Sequence, residues 1–319
     1  MSLWKLRLSL IGTLAIIIGL STLFFTIILS LTGLFNYLTL IVFVIGFSLI
    51  QWLIAPYLID AIYRVKAVSK SDQPKLVEMV ENLSQKSGIK VPKVMIAKIP
   101  LPNAFAYSSP ITGSRVAVTE GLLKNLDSEE VEAVLGHELG HLKHRDVQVM
   151  MFVSILPALF YYIGYSMLLS SRYSREEREG GTAVIGIISI ALYWILTLFT
   201  LYISRLREYF ADRHSATIVE DGPRKLSEGL AKIVYSTKNM KKINRNTGNL
   251  HSFKALFISD PDHAEADATS ITHMRSQLGD QKLVEEVLRK EVTTLDKVVE
   301  VFSTHPNIVK RLRALKEIA

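Results

Sequence analysis

The sequence predicts a mainly α-helical, multi-pass membrane protein in which four membrane-crossing helices carry one polar domain with a small β-sheet. Three observations predict it. First, 49% of the 319 residues are hydrophobic and the mean hydropathy is +0.26, which is more apolar than ordinary water-soluble domains. Second, Asp, Glu, Lys, Arg and His are all absent from Leu8 to Ile59, from Val147 to Ser171 and from Gly180 to Ser204. Third, basic residues collect beside the ends of these runs, as they do at membrane boundaries.

A crossing helix needs about 20 apolar residues. The first run therefore holds two spans, with a break near 32–36, and the other two runs hold one each. Pro157 is expected to kink the third span, and Gly186 to loosen the fourth. Lys5 and Arg7 precede the first span, but its apolar run is too long for a secretion signal and reads as a retained anchor. The organisation is then two N-terminal spans over 1–60, a polar part over 61–146, a span hairpin over 147–204 and a second polar part over 205–319.

Orientation follows from the flanking charges. Lys5, Arg7, Arg64, Lys66, Lys70, Lys143, Arg145, Arg205, Arg207 and Arg213 fall on one side. The other side has a charge-free turn and the short loop 171–179, whose three arginines are the only dissent. This places both termini and both polar parts on the cytoplasmic side of a cell membrane. The net charge of +7 belongs with these anchors, and nucleic acid is not an expected partner. The chain has no cysteine, so disulfides and thiolate metal sites are excluded.

In the first polar part, Pro74 and Gly88 frame a helix with an apolar stripe at Leu76, Val77, Val80 and Leu83. Val94–Ala97 and Val116–Thr119 read as strands, with a third short strand over 102–107. Asp127 or Ser128 can cap a following helix whose first turn is acidic. The second polar part reads as helical, with helices over 223–240, 281–291 and 306–319 and a polar stretch over 241–250.

The helix begun at Asp127 contains His137-Glu138-Leu139-Gly140-His141. Histidines four apart share one helical face and can converge on a single ion. Glu138 leaves the helix at another angle, where it can reach a water on that ion. This is the H-E-x-x-H arrangement of metalloproteases. If the helix runs straight into the third span, His141 stands six residues, or roughly 9 Å, above Val147. Two imidazoles with one carboxylate would suit zinc better than calcium or magnesium.

A third ligand is needed. Glu208 and Asp212 lie one turn apart in Ser204-Arg-Leu-Arg-Glu-Tyr-Phe-Ala-Asp212, directly after the fourth span. Glu208 can ligate, and Asp212 can accept the spare ring N–H of a ligating histidine. The plainer alternative is a charged face at a membrane boundary.

Taken in order, these features resemble the HtpX-type membrane metalloproteases, which are related to the CAAX prenyl-proteases. The match runs through HELGH at 137–141, the span hairpin, the 204–212 segment and Thr304-His305-Pro306 with Arg311. The resemblance implies a gluzincin-like cytoplasmic domain with one Zn2+ per chain on His137, His141 and Glu208, and Glu138 as general base. It further implies that His305 and Arg311 stand near the substrate. Asn103, Ala104, Phe105 and Ala106 would form an edge strand that binds substrate by main-chain hydrogen bonds. The alternatives for the last two are a histidine before a helix, a solvated arginine and a packed strand.

Arg213 and His214 depart from the family pattern, and His144 adds a third imidazole close to His141. The implied partners are membrane or misfolded polypeptides and the bilayer, and a homo-oligomer is compatible with this reading. A dedicated processing protease of the CAAX kind and a non-enzymatic scaffold or transporter are the competing expectations.

Overall fold

The computed structural model describes residues 37–173, 180–243 and 279–319. The first expected span, the centre of the 171–179 loop, most of the polar 241–250 stretch, and His251, His263 and His273 lie outside the described residues. Three helices among the described residues are long and apolar enough to cross a membrane, at Ile41–Ile62, Asp146–Leu169 and Thr182–Ile218. They belong to α1 (Tyr37–Ile62), α5 (Asp146–Tyr173) and α6 (Gly180–Ile218).

The chain divides into two compact units, one of 1–51 with 150–200 and one of 52–149 with 201–319. The first unit exposes apolar side chains such as Phe152, Ile187 and Phe199, as helices facing lipid do. Several of its hydroxyls bond within their own helices: Ser154 donates to the Met150 carbonyl, Ser189 to Ile185 and Thr197 to Tyr193. Gly186 does not loosen its span. A Cβ on Gly164 would stand 2.9 Å from the Gly186 carbonyl oxygen, and one on Gly186 would stand 3.1 Å from the Gly164 oxygen. Small residues let α5 and α6 approach backbone to backbone, which is how helices pack where no hydrophobic effect drives them together.

The second unit holds the sheet. Its strands are β1 (Val65–Ala67), β2 (Lys93–Ala97), β3 (Ala104–Ser109) and β4 (Gly113–Thr119), in the order β1-β2-β4-β3. β2 and β4 are parallel, and the outer pairs are antiparallel. β3 is therefore an edge strand. Gly113, at φ +71°, makes the tight return from β3 to β4. The expected third strand is shifted by two residues, and β1 was not expected.

Around the sheet lie α2 (Pro74–Ser87), α3 (Glu120–Asn125) and α4 (Ser128–Lys143), followed by α7 (Gly222–Ile243), α8 (Asp280–Leu288), α9 (Thr294–Val301) and α10 (Ile308–Glu317). α2 ends at Gly88 in the left-handed conformation, as its framing residues predict. Asp127 precedes α4, and Glu130 accepts a 2.8 Å hydrogen bond from the Asp127 N–H. Val131, Val134, Leu135 and Leu139 of α4 are buried against Leu226, Leu230 and Ile233 of α7 and against β3. Leu312 and Leu315 of α10 close the same core.

α4 does not run straight into the third span. His144 caps it, Arg145 takes φ +54°, and α5 starts at Asp146. The chain is redirected by a non-glycine residue in the left-handed region. By contrast, α6 continues fourteen residues beyond Ser204 to Ile218 without a break. The span within it has 37 residues, roughly 56 Å at 1.5 Å each. That exceeds a hydrocarbon core of about 30 Å, so the last turns of α6 extend beyond it.

Candidate metal centre

Two helices supply the centre, and their crossing depends on small residues. A Cβ on Gly140 would meet the Ala211 Cα at 3.0 Å, and one on Gly136 would meet the Ser215 Oγ at 3.0 Å. Ser215 donates to the Ala133 carbonyl at 2.6 Å. Glycines one turn apart on α4 thus receive Ala211 and Ser215, one turn apart on α6. This close crossing brings His137 and His141 opposite Glu208.

The His137 and His141 Nε2 atoms are 3.1 Å apart, with their rings nearly perpendicular. Glu208 faces both: Oε2 is 3.7 Å from His137 Nε2, and Oε1 is 3.5 Å from His141 Nε2. The three side chains can each offer one ligand atom within 4.8 Å of the others. Glu138, next to His137 in α4, is buried.

Behind each imidazole stands a carboxylate with a guanidinium of its own. His137 Nδ1 is 2.8 Å from Asp212 Oδ1. Arg311 donates to both Asp212 oxygens, at 2.9 and 2.6 Å, and its Nη1 is 3.0 Å from Glu208 Oε2. On the other side, His141 Nδ1 is 2.6 Å from Asp146 Oδ2, and Arg207 pairs with Asp146. Arg311 is 1% exposed. Burial alone would ease loss of its proton, but the Asp212 and Glu208 carboxylates outweigh that and raise its pKa further. His305 Nδ1 lies 3.2 Å from Glu208 Oε2.

This donor set fits a metal ion. A ring that donates its Nδ1–H to a carboxylate keeps a lone pair on Nε2. His141 is held this way by Asp146, and a cation between the two Nε2 atoms and the buried Glu208 carboxylate would be attracted by all three. A second acidic group, Asp127, Glu130 and Asp280, differs in this respect. The Lys232 ammonium sits 3.0, 2.8 and 3.0 Å from the three carboxylates and already supplies the charge.

The structure thus brings together His137, His141, Glu208, Asp212, His305 and Arg311, and Glu138 follows His137 in the same helix. Arg311 is not solvated but enclosed between two carboxylates. The 103–106 segment lies at the sheet edge beside α4. There Phe105 packs on Tyr63 and Tyr107, and Asn103 exchanges hydrogen bonds with Thr119. The sequence reading missed Asp146 and Arg207. Their signal is weak: an Asp five residues past His141, and an Arg adjoining Glu208. His144 turns its Nδ1 to the Gly140 carbonyl, 2.9 Å away, and its ring lies against His214.

Residues 70–319 match the model of peptidase family M48. The chain is 37% identical over 317 residues to a protease HtpX homolog of Aeropyrum pernix, covering 98% of this chain and 96% of that one. It is 36% identical to a protease HtpX homolog of Picrophilus torridus, covering 99% and 98%. With a protease HtpX homolog of Thermoplasma acidophilum it shares 35% identity over 276 residues, covering 85% and 82%. The crystal structure of S. mikatae Ste24p is similar in fold at a TM-score of 0.57 and 17% identity, and the match spans 98% of this chain but 66% of that one. With a family match over most of its length and helices long and apolar enough to cross a membrane, this chain belongs to peptidase family M48 and is a membrane metalloprotease that hydrolyses peptide bonds.

Proposed function

We propose that His137, His141 and Glu208 hold one zinc ion and that the chain is an endopeptidase working at the cytoplasmic membrane surface. The convergence of two imidazole nitrogens and one carboxylate carries this reading. Neutral imidazoles with a single carboxylate suit zinc, whereas calcium and magnesium favour shells of oxygen. When bound, zinc supplies Lewis acidity at the scissile carbonyl and lowers the pKa of a coordinated water.

The remaining work falls to the protein. Glu138 takes a proton from the attacking water and returns it to the leaving nitrogen. Asp212 and Asp146 hold the two imidazoles in the tautomer that leaves Nε2 available. Arg311, with Nε, Nη1 and Nη2 all directed at Asp212 and Glu208, acts as a positioning group. His305 is more accessible, with a side-chain exposure of 19%, and is the better placed of the two to stabilise negative charge developing on the carbonyl oxygen. Edge strand β3 is the surface on which an extended substrate would add by main-chain hydrogen bonds, beginning at Asn103, Ala104, Phe105 and Ala106.

The substrates we propose are membrane or misfolded polypeptides, handled in protein quality control. Basic residues at the span ends support the cytoplasmic orientation. The experiment is cleavage of an unfolded, casein-like polypeptide by the reconstituted protein. Wild type is expected to cleave it, to stop with a chelator and to recover with zinc. Glu138→Gln is expected to retain fold and zinc and to lose cleavage. Robust cleavage by Glu138→Gln would remove the assigned general base.

A further inference from the structure

Helix α9 turns one side inward and, among the described residues, leaves large apolar side chains exposed. Val299 turns inward with Glu300, and both are buried. Leu295, Val298, Val301 and Phe302 are 69, 53, 41 and 55% exposed. At 100° per residue these four fall within an arc of about 120°. Lys297 lies outside that arc and is also exposed. So dense a stripe of large apolar side chains on so short a helix marks an interaction surface.

The way α9 is held indicates what covers the stripe. Arg205 Nη1 reaches the carbonyl oxygens of Glu300, Val301 and Ser303 at 2.8, 3.1 and 2.8 Å. It closes the C-terminal end of the helix with a positive charge, where the helix dipole favours one. Arg205 directly follows the charge-free run that ends at Ser204. The last turn of α9 therefore stands at the level where α6 leaves its apolar run. Tyr202 and Leu206, on either side of Arg205 along α6, are also exposed, and the Arg205 guanidinium lies over the Tyr202 ring. Tyrosine and arginine at such a level belong to the lipid–water interface.

We propose that α9 is an interfacial helix that lies in the plane of the bilayer surface, with Leu295, Val298, Val301 and Phe302 inserted among the lipid headgroups and upper acyl chains. Its eight residues span roughly 12 Å, too short to cross a membrane and long enough to lie on one. The partner is the lipid bilayer itself. Phe302 is followed by Ser303, whose Oγ accepts from the His305 N–H at 3.2 Å, so the same short segment meets the lipid and presents His305 to Glu208. The placement rests on the exposure of α9 and the grip of Arg205, and it stands apart from the zinc and protease readings.

The chain contains no cysteine, which makes the test direct. Val298→Cys, Phe302→Cys and Lys297→Cys each receive one environment-sensitive fluorophore in the full-length protein, reconstituted in phosphatidylcholine vesicles. Part of the lipid carries a spin label near the headgroup end of its acyl chain. Blue-shifted emission is expected at 298 and 302, with at least about twofold stronger quenching there than at 297, because the apolar face of an interfacial helix sits some 5–10 Å into the boundary region. Leu295→Cys replaces any variant that fails to fold. Equal quenching at all three positions, or none, overturns the proposal. So does a shift at 298 and 302 that appears only with added unfolded polypeptide, or that follows the protein-to-lipid ratio. The first of these would make the stripe a substrate surface and the second a contact between copies of the chain.

Discussion

Removing the Arg311 side chain tests how the centre is held together. Arg311 is enclosed and bridges two buried carboxylates, donating to both oxygens of Asp212 and standing 3.0 Å from Glu208. Arg311→Met keeps most of the volume and deletes the charge. Breaking a buried ion pair from one side typically costs about 3–5 kcal/mol, because the partner charge stays buried without compensation. For a unit of roughly 200 residues each kcal/mol lowers Tm by about 2–4 °C, so the drop expected in chelator is roughly 6–20 °C. Saturating zinc supplies positive charge beside the same carboxylates and stabilises the folded state by mass action. The deficit of the variant is therefore expected to shrink when zinc is present. Arg311→Lys, which restores a point charge but not the bidentate fork, should fall between the two. The assay is thermal unfolding of the detergent-solubilised protein with chelator and with zinc. A variant Tm within about 2 °C of wild type in chelator would refute the role given to Arg311.

Two further substitutions probe the supports of the ligand helix. Gly140→Val places side-chain carbon against the Ala211 backbone, where even a Cβ would be 3.0 Å away. Overpacking of this kind costs about 1–3 kcal/mol, and the shift of α4 against α6 should lower kcat/KM and metal content together; unchanged metal content would show that the crossing has slack. Asp146→Asn removes the carboxylate behind His141 and should weaken zinc binding by roughly 10–100-fold. Competition with a chromophoric chelator measures it, and an unchanged affinity would show that His141 needs no carboxylate.

The sequence shows the HELGH helix clearly because its signals are local. An acidic cap, an apolar stripe and two histidines at one-turn spacing all fall within 127–142. Glu208 and Asp212 are legible for the same reason, being one turn apart. Asp146 is not, because its approach to His141 depends on the reversal at Arg145, a left-handed residue that no glycine announces. Arg311 could be placed near the site only by resemblance. Its partners lie about a hundred residues earlier in the chain, and helical periodicity carries no information over that distance. The short elements escaped for a related reason. β1 has three residues and α3 six, and the Thr119 hydroxyl that accepts from the Leu122 N–H at 3.0 Å to cap α3 looks in sequence like the end of a strand. Gly186 shows the opposite error. Helix propensity marks it as a weakness, whereas the partner helix makes it a contact.

X-ray absorption at the zinc edge of the purified, zinc-loaded protein tests the central claim most directly. The account predicts about one zinc per chain with two imidazole nitrogens and one carboxylate oxygen at roughly 2.0–2.2 Å, and loss of that signal in His141→Ala. A zinc shell containing fewer than two imidazoles, or stoichiometric zinc persisting in His141→Ala, would contradict it.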